Sequence, residues 1–283
     1  MKFLIRAEEA VRSSRNAFLA KLQQFYWFRY LSLLSIGHDV VLVTRQFADH
    51  KLTFSPHEMI GKSLYRNGFY QRDLADRVLS LIGEPRGKTL LEIGANIGTH
   101  SVYLTRGDHF ERLICIEPEQ RNLDILRHNL AQNHIADIAT VFGYAVGDHD
   151  GFADLYTCES NHGAGTIIAG AAHNGTSVRV PLRRVDTILN EAAVDASDIG
   201  LVWMDIEGAE PDAIKSMTSL VENHVPILME YAPSRLGPSK IEEMGAYLSQ
   251  HYGRCIVFGD GREREMDIRE VRDGLNDILL LPH

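Results

Sequence analysis

Gly94 and Gly98 stand in the segment Thr89-Leu90-Leu91-Glu92-Ile93-Gly94-Ala95-Asn96-Ile97-Gly98-Thr99-His100, between a short apolar run and a helical pattern from Ile97 to Thr105. That order is the strand-to-helix turn of a βα unit, where α/β sheets bind cofactors. Glycine at 94 permits the turn, and glycine at 98 lets the backbone come close to a ligand or a neighbouring strand. Roughly 20 residues further on, the run Leu113 to Ile116 ends at Glu117, where doubly wound sheets place the carboxylate that accepts ribose hydroxyls. Asn96 and Thr99 occupy the second and third glycine positions of the dinucleotide fingerprint and crowd the space a pyrophosphate needs. A cofactor with a ribose and no pyrophosphate, S-adenosylmethionine, fits this turn better than NAD.

A second set of acids follows. Leu201-Val202-Trp203-Met204 runs into Asp205-Ile206-Glu207-Gly208-Ala209-Glu210, and Ile227-Leu228-Met229 runs into Glu230. Two parallel strands with these acids at their carboxyl ends deliver them to the cofactor edge of one sheet. Asp205, Glu207 and Glu230 are the candidate general bases for an acceptor that must lose a proton, or groups that orient it. A divalent cation on the same acids would polarise the acceptor instead; carboxylates alone do not require one, and no metal ligand is assigned. Glu210 reads as a helix-start acid. A polar insert from Glu159 to Thr176 carries His162 and His173, whose neutral imidazoles are competing proton acceptors, and inserts of this kind commonly line the acceptor.

Taken together, Glu92 to Gly98, Ile116-Glu117-Pro118, Asn129-Leu130, Ala145-Val146-Gly147-Asp148 and Met204 to Glu210 resemble the FkbM family of S-adenosylmethionine-dependent methyltransferases, from about Leu52 to the C-terminus. The resemblance implies an α/β fold with the Rossmann-like class I methyltransferase sheet, in the order 3-2-1-4-5-7-6 with the last strand antiparallel. It implies S-adenosyl-L-methionine as cofactor and O-methyl transfer to a hydroxyl of a small molecule or saccharide. On that reading Glu92, Gly94, Asn96 and Gly98 surround the methionine end and Glu117 holds the ribose. Asp148 is either an adenine contact or a turn residue before Gly151, and Tyr70 either touches cofactor or substrate or is a packed aromatic. A noncatalytic cofactor-fold module that mediates assembly is the alternative from another class.

The elements that must position these groups follow from periodicity. Leu123, Leu126 and Leu130 form a helical stripe after Glu117, with Asn129 available to brace the glycine turn. Ala139 to Phe142 make the third strand, Phe152 to Thr157 and Val178 to Pro181 read as extended, and Cys255 to Phe258 and Asp277 to Leu281 end the sheet around a charged turn, Asp260 to Arg272. Residues 51–283 are expected to form the methyltransferase domain and residues 1–50 a helical extension. In that extension Phe18, Leu22, Phe25, Tyr26, Trp27, Phe28 and Tyr30 have three readings: packing on the catalytic domain, a homodimer or partner surface, or a peripheral membrane contact.

With 283 residues and 45% hydrophobic composition the chain can bury a full core. Its formal charge of -9 argues against nucleic acid as a partner. Cys115, Cys158 and Cys255 are irregularly spaced and read as reduced thiols rather than disulfides or a zinc site. A charged N-terminus and no long apolar run point to a cytoplasmic protein without a signal peptide or transmembrane segment.

Overall fold

Continuous apolar runs such as Leu201 to Met204 suit strands buried on both faces. In the computed structural model, which describes residues 26–282 apart from 86, 108, 159–160, 169–175, 234–236, 260, 272–273 and 275, these runs form the centre of an eight-stranded sheet. Its strands are β1 (Thr89–Ile93), β2 (Arg112–Ile116), β3 (Ala139–Phe142), β4 (Ile199–Met204), β5 (Ile227–Tyr231), β6 (Arg254–Gly259), β7 (Arg262–Met266) and β8 (Asn276–Leu281). They lie in the order β7-β6-β8-β5-β4-β1-β2-β3. β1 to β5 are mutually parallel, and β8 runs antiparallel between β5 and β6. This is the expected methyltransferase order with one strand added. β7, in the stretch read as a charged turn, pairs with β6 at the sheet edge, and its exposed Arg and Glu side chains protect that edge from further pairing.

Helices cover both faces. On one, α1 (Arg72–Ile82), α2 (Thr99–Leu104) and α3 (Gln120–Gln132) bring Val78, Leu104, Leu123 and Leu126 against Leu90, Leu113, Cys115 and Trp203. On the other, α4 (Val185–Glu191), α5 (Glu210–Ser216), α6 (Thr218–Glu222) and α7 (Pro238–Leu248) bring Ile188, Ile214, Leu220 and Leu248 against Leu91, Ile93, Val202 and Met229. α5 and α6 are separated at Met217, whose backbone (φ -120, ψ 42) caps α5 and starts α6.

The stretch between β3 and α4 forms a separate four-stranded sheet of Ala145–Val146, Gly151–Cys158, Asn161–Thr166 and Ser177–Arg183. Part of the polar insert is therefore a strand, since Asn161–Thr166 pairs antiparallel with Gly151–Cys158. A hairpin of Val43–Gln46 and Lys51–Phe54 closes through a 2.8 Å bond from Phe47 N to His50 O.

The chain divides into two compact units, residues 45–53 with 71–283, which hold both sheets just described, and residues 1–44 with 54–70. In the smaller unit, helices Tyr26–Leu34 and Met59–Asn67 pack together. Gly68, in the left-handed region at φ 91, ends the second by donating to Leu64 O at 3.1 Å. Phe18, Leu22 and Phe25 lie outside the described residues. No helix among the described residues is long and apolar enough to cross a membrane.

Candidate active site

Parallel β1 and β4 end side by side, and the chain leaves both at the same edge. Asp205 N donates to Ile93 O at 3.0 Å, so the glycine turn and the acid loop begin in contact. Gly94 has φ 84, and a Cβ there would sit 1.9 Å from Asp205 O. Only glycine allows β1 and β4 to approach this closely. Gly98 has φ 80, and its Cβ would meet Leu126 Cδ1 at 2.6 Å. The close approach at Gly98 is thus to α3, where the sequence suggested a ligand or a strand. Asn96 is also left-handed, at φ 50, with its own Oδ1 accepting Ile97 N at 2.8 Å, a local bond that Asn makes well.

Glu117 ends β2 and reaches back across the turn. Its Oε2 accepts Asn96 N at 2.8 Å and its Oε1 accepts Glu119 N at 2.9 Å. The Asn122 side chain gives the carboxylate a third hydrogen bond, which leaves it lone-pair capacity for one further hydroxyl donor. Burial pushes this carboxyl up to about 7, against the pull of the two backbone amides. Asn129 braces the turn from α3, donating to Ile97 O at 2.7 Å and to Thr53 O at 3.0 Å while accepting Thr53 N at 2.8 Å. Four residues on, Asn133 accepts Lys51 N at 2.9 Å and donates to Lys51 O at 2.7 Å. The two amide side chains give segment 51–53 a substitute strand edge.

Glu92 lies in the layer beneath the turn rather than on its outer surface. It is 1% exposed and pairs in register with Cys115 on β2. Ser101 of α2 donates its hydroxyl to Oε2, and Oε1 is buried without a hydrogen-bond partner. Desolvation first, then the Glu117 charge, push the Glu92 carboxyl up to about 8 against the Ser101 hydrogen bonds.

The acid loop converges on one point. One carboxylate oxygen from each of Asp205, Glu207 and Glu230 lies within 4.8 Å of the others. Burial and then the charges of Glu230, Glu207, Glu210 and Asp277 hold the Asp205 carboxyl well above the usual range. Glu207 takes a left-handed backbone at φ 52, followed by Gly208 at φ 102. Glu210, 2% exposed at the start of α5, turns back to accept Gly208 N at 3.0 Å and Ile206 N at 3.2 Å. It braces the loop, as a helix-start acid should.

Asp277 was not among the acids picked from sequence. It faces Glu230 in the β5-β8 register, accepts Gln71 Nε2 at 3.4 Å, and is pushed up to about 6 by burial. Topology is the signal that finds it, because an antiparallel last strand begins where its parallel neighbours end.

The second sheet touches the acid loop: Thr166 of Asn161–Thr166 donates to Glu207 O at 2.9 Å, and Ile168 Cγ1 is 3.6 Å from a Cβ placed on Gly208. His162 belongs to that strand, and His173 lies outside the described residues. Asp148 is exposed in the turn before Gly151, with His149 Nδ1 2.7 Å away. Tyr70 is half-buried at the end of the smaller unit. A cavity of about 530 Å³ lies at the opposite ends of the strands, lined by Glu84, Ser197, His224 and Arg254, and none of the candidate residues borders it.

Sheet order and the glycine turn at the end of β1 are those of the Rossmann-like class I methyltransferase fold. The profile described as the methyltransferase FkbM domain matches residues 92–254, more than half of the chain, and the chain belongs to that family. A curated relative is the 2-O-methyltransferase NoeI of Sinorhizobium fredii, 26% identical over 174 residues that cover 56% of this chain and 69% of that protein. Among solved structures, a precorrin-6y C5,15-methyltransferase from Geobacter metallireducens aligns at 11% identity and a TM-score of 0.40, covering 75% of this chain and 88% of that one. A methyltransferase from Geobacter sulfurreducens aligns at 13% identity and a TM-score of 0.41, covering 78% and 85%.

Proposed function

We propose that the enzyme transfers a methyl group from S-adenosyl-L-methionine to a hydroxyl of a saccharide or other small molecule, with Asp205 as the base. The observation that carries this reading is the convergence of Asp205, Glu207 and Glu230 beside the glycine turn, with Gly94 packed on Asp205. The relative NoeI is a 2-O-methyltransferase, which supports an oxygen acceptor.

The residues present fit the cofactor. Glu117, with three of its acceptor sites used by Asn96, Glu119 and Asn122, keeps capacity for a ribose hydroxyl, Asn96 and Gly98 set the turn, and the unpartnered Oε1 of Glu92 lies beneath it. When bound, S-adenosylmethionine supplies a methyl carbon already activated by its sulfonium. The protein's task is to align an oxygen with that carbon and to take the hydroxyl proton. Asp205 suits the second task, because partial burial and the neighbouring acids raise its affinity for a proton. Glu207 and Glu230 hold Asp205 basic and orient the acceptor. The strand Asn161–Thr166, tied to the Glu207 carbonyl, forms one wall of the acceptor site.

The three convergent carboxylates also favour a second reading, in which they hold a divalent cation that polarises the hydroxyl. Steady-state kinetics on Asp205→Asn and Glu230→Gln, with and without chelator, separate the two. A direct base predicts chelator resistance and a loss of turnover of roughly 10²-fold or more in Asp205→Asn, with cofactor affinity retained. Activity abolished by chelation and restored by a divalent ion supports the cation. Near-wild-type turnover in both variants refutes the assignment to either carboxylate.

A further inference from the structure

Amphipathic helices of folded proteins turn their apolar stripe inward. Helix Tyr26–Leu34 turns one outward. Trp27, Leu31 and Leu34, spaced i, i+4 and i+7 on one face, are 72%, 62% and 65% exposed, and Val41 in the same unit is 60% exposed. An apolar face of this kind marks a docking surface.

Charge selects what docks there. The smaller unit, residues 1–44 and 54–70, contains eight Lys or Arg and four Asp or Glu, a formal +4. Since the whole chain is at -9, the other unit stands at -13. Arg29 lies on this helix, and Lys2, Arg6, Arg12, Arg15 and Lys21 precede it in the sequence against only Glu8 and Glu9. A second copy would oppose two positive units, whereas an anionic surface attracts this unit and repels the remainder. Tryptophan also favours the boundary between headgroup and acyl chain, and outward leucines beside basic residues suit it.

We propose that the Trp27, Leu31 and Leu34 face docks on the surface of an anionic lipid bilayer, at headgroup depth and without spanning it. The proposal is independent of the methyl-transfer chemistry. It places an enzyme that acts on hydroxyls at a membrane, where the acceptor can be a lipid-borne molecule.

The full chain is tested against vesicles of phosphatidylcholine alone and of phosphatidylcholine with phosphatidylglycerol, by co-sedimentation and tryptophan fluorescence. The chain has two tryptophans, and Trp203 is 3% exposed, so a blue shift on adding vesicles reports Trp27. Expected are co-sedimentation and a blue shift with the anionic vesicles only, both weakened by salt. The variant Trp27→Ser/Leu31→Ser/Leu34→Ser should bind them at least about 10-fold more weakly, because it loses the apolar contacts. Absence of any shift or sedimentation by the wild-type chain overturns the proposal without reference to the variant. So does equal binding by both chains, or a wild-type dimer that the substitutions make monomeric while neither chain binds vesicles.

Discussion

Glu92→Gln tests whether the carboxyl under the glycine turn is as dry as the structure places it. The group goes from an ordinary 4.5 to about 8 on folding. At about 1.4 kcal/mol per unit, ionising it in the folded state costs on the order of 5 kcal/mol. The sign follows from a raised carboxyl. Its stabilising contribution is complete below about 4.5, is lost progressively as pH rises, and is gone above about 8. Glu117, raised to about 7, and Asp277, raised to about 6, act in the same direction, so wild-type stability falls across this window for several reasons. The difference between wild type and Glu92→Gln removes the shared part. Gln accepts the Ser101 hydroxyl as the carboxyl does, but its amide nitrogen then takes the buried position of Oε1, which has no hydrogen-bond partner, so the variant should be about 1 kcal/mol less stable at pH 5. At pH 9 the order should reverse, with the variant more stable by about 2 kcal/mol or more. Urea denaturation at the two pH values measures both. Parallel pH profiles for the two proteins would refute the reasoning and mean that water reaches Glu92.

Gly94→Ala should destabilise the protein by more than about 2 kcal/mol, since the added Cβ meets the Asp205 carbonyl and φ 84 is strained for alanine; a near-wild-type melting temperature would refute the packing of β1 on the acid loop. Asn129→Leu should cost about 2–3 kcal/mol by leaving Thr53 N, Thr53 O and Ile97 O without their side-chain partner, and calorimetric titration should find weaker cofactor binding because the turn loses its brace. If Asp205 is the base, turnover should fall as pH drops through its raised value, because only the ionised form takes a proton. That acid limb should vanish from the residual activity of Asp205→Asn in a pH-rate profile.

The central sheet and its acid-bearing edge were legible because buried parallel strands are written as unbroken apolar runs, and a polar residue that ends such a run is conspicuous. Asp205, Glu117 and Glu230 were found in this way. The depth of Glu92 was readable from strand parity as well, since a period of two puts it on the face of Leu90 and opposite Cys115, but a motif reading looks only at the turn. The second sheet was less visible. Asn161-His162-Gly163-Ala164-Gly165-Thr166 lacks the branched and aromatic side chains that mark strands, and it pairs through backbone bonds that composition does not reveal. β7 was masked by the charges that make it a safe edge, and Asp277 by its distance in sequence from the acid it faces.

The segment 45–53 belongs to the larger unit although it precedes the helix that opens the main domain by some twenty residues in the chain. Asp49 is clasped by Arg72 at 2.7 Å and Arg106 at 2.8 Å, and those charges hold its carboxyl well below the ordinary range. His50 stacks on Phe47 and meets the edge of Tyr103, while Thr53 is held by the same Asn129 that grips the glycine turn. Anyone shortening this protein for crystallography or expression therefore inherits a constraint. A start site between Phe54 and Gln71 would look generous on a secondary-structure diagram, yet it would strip a buried strap from the helix behind the cofactor turn. The shortest useful version has to begin ahead of Arg45.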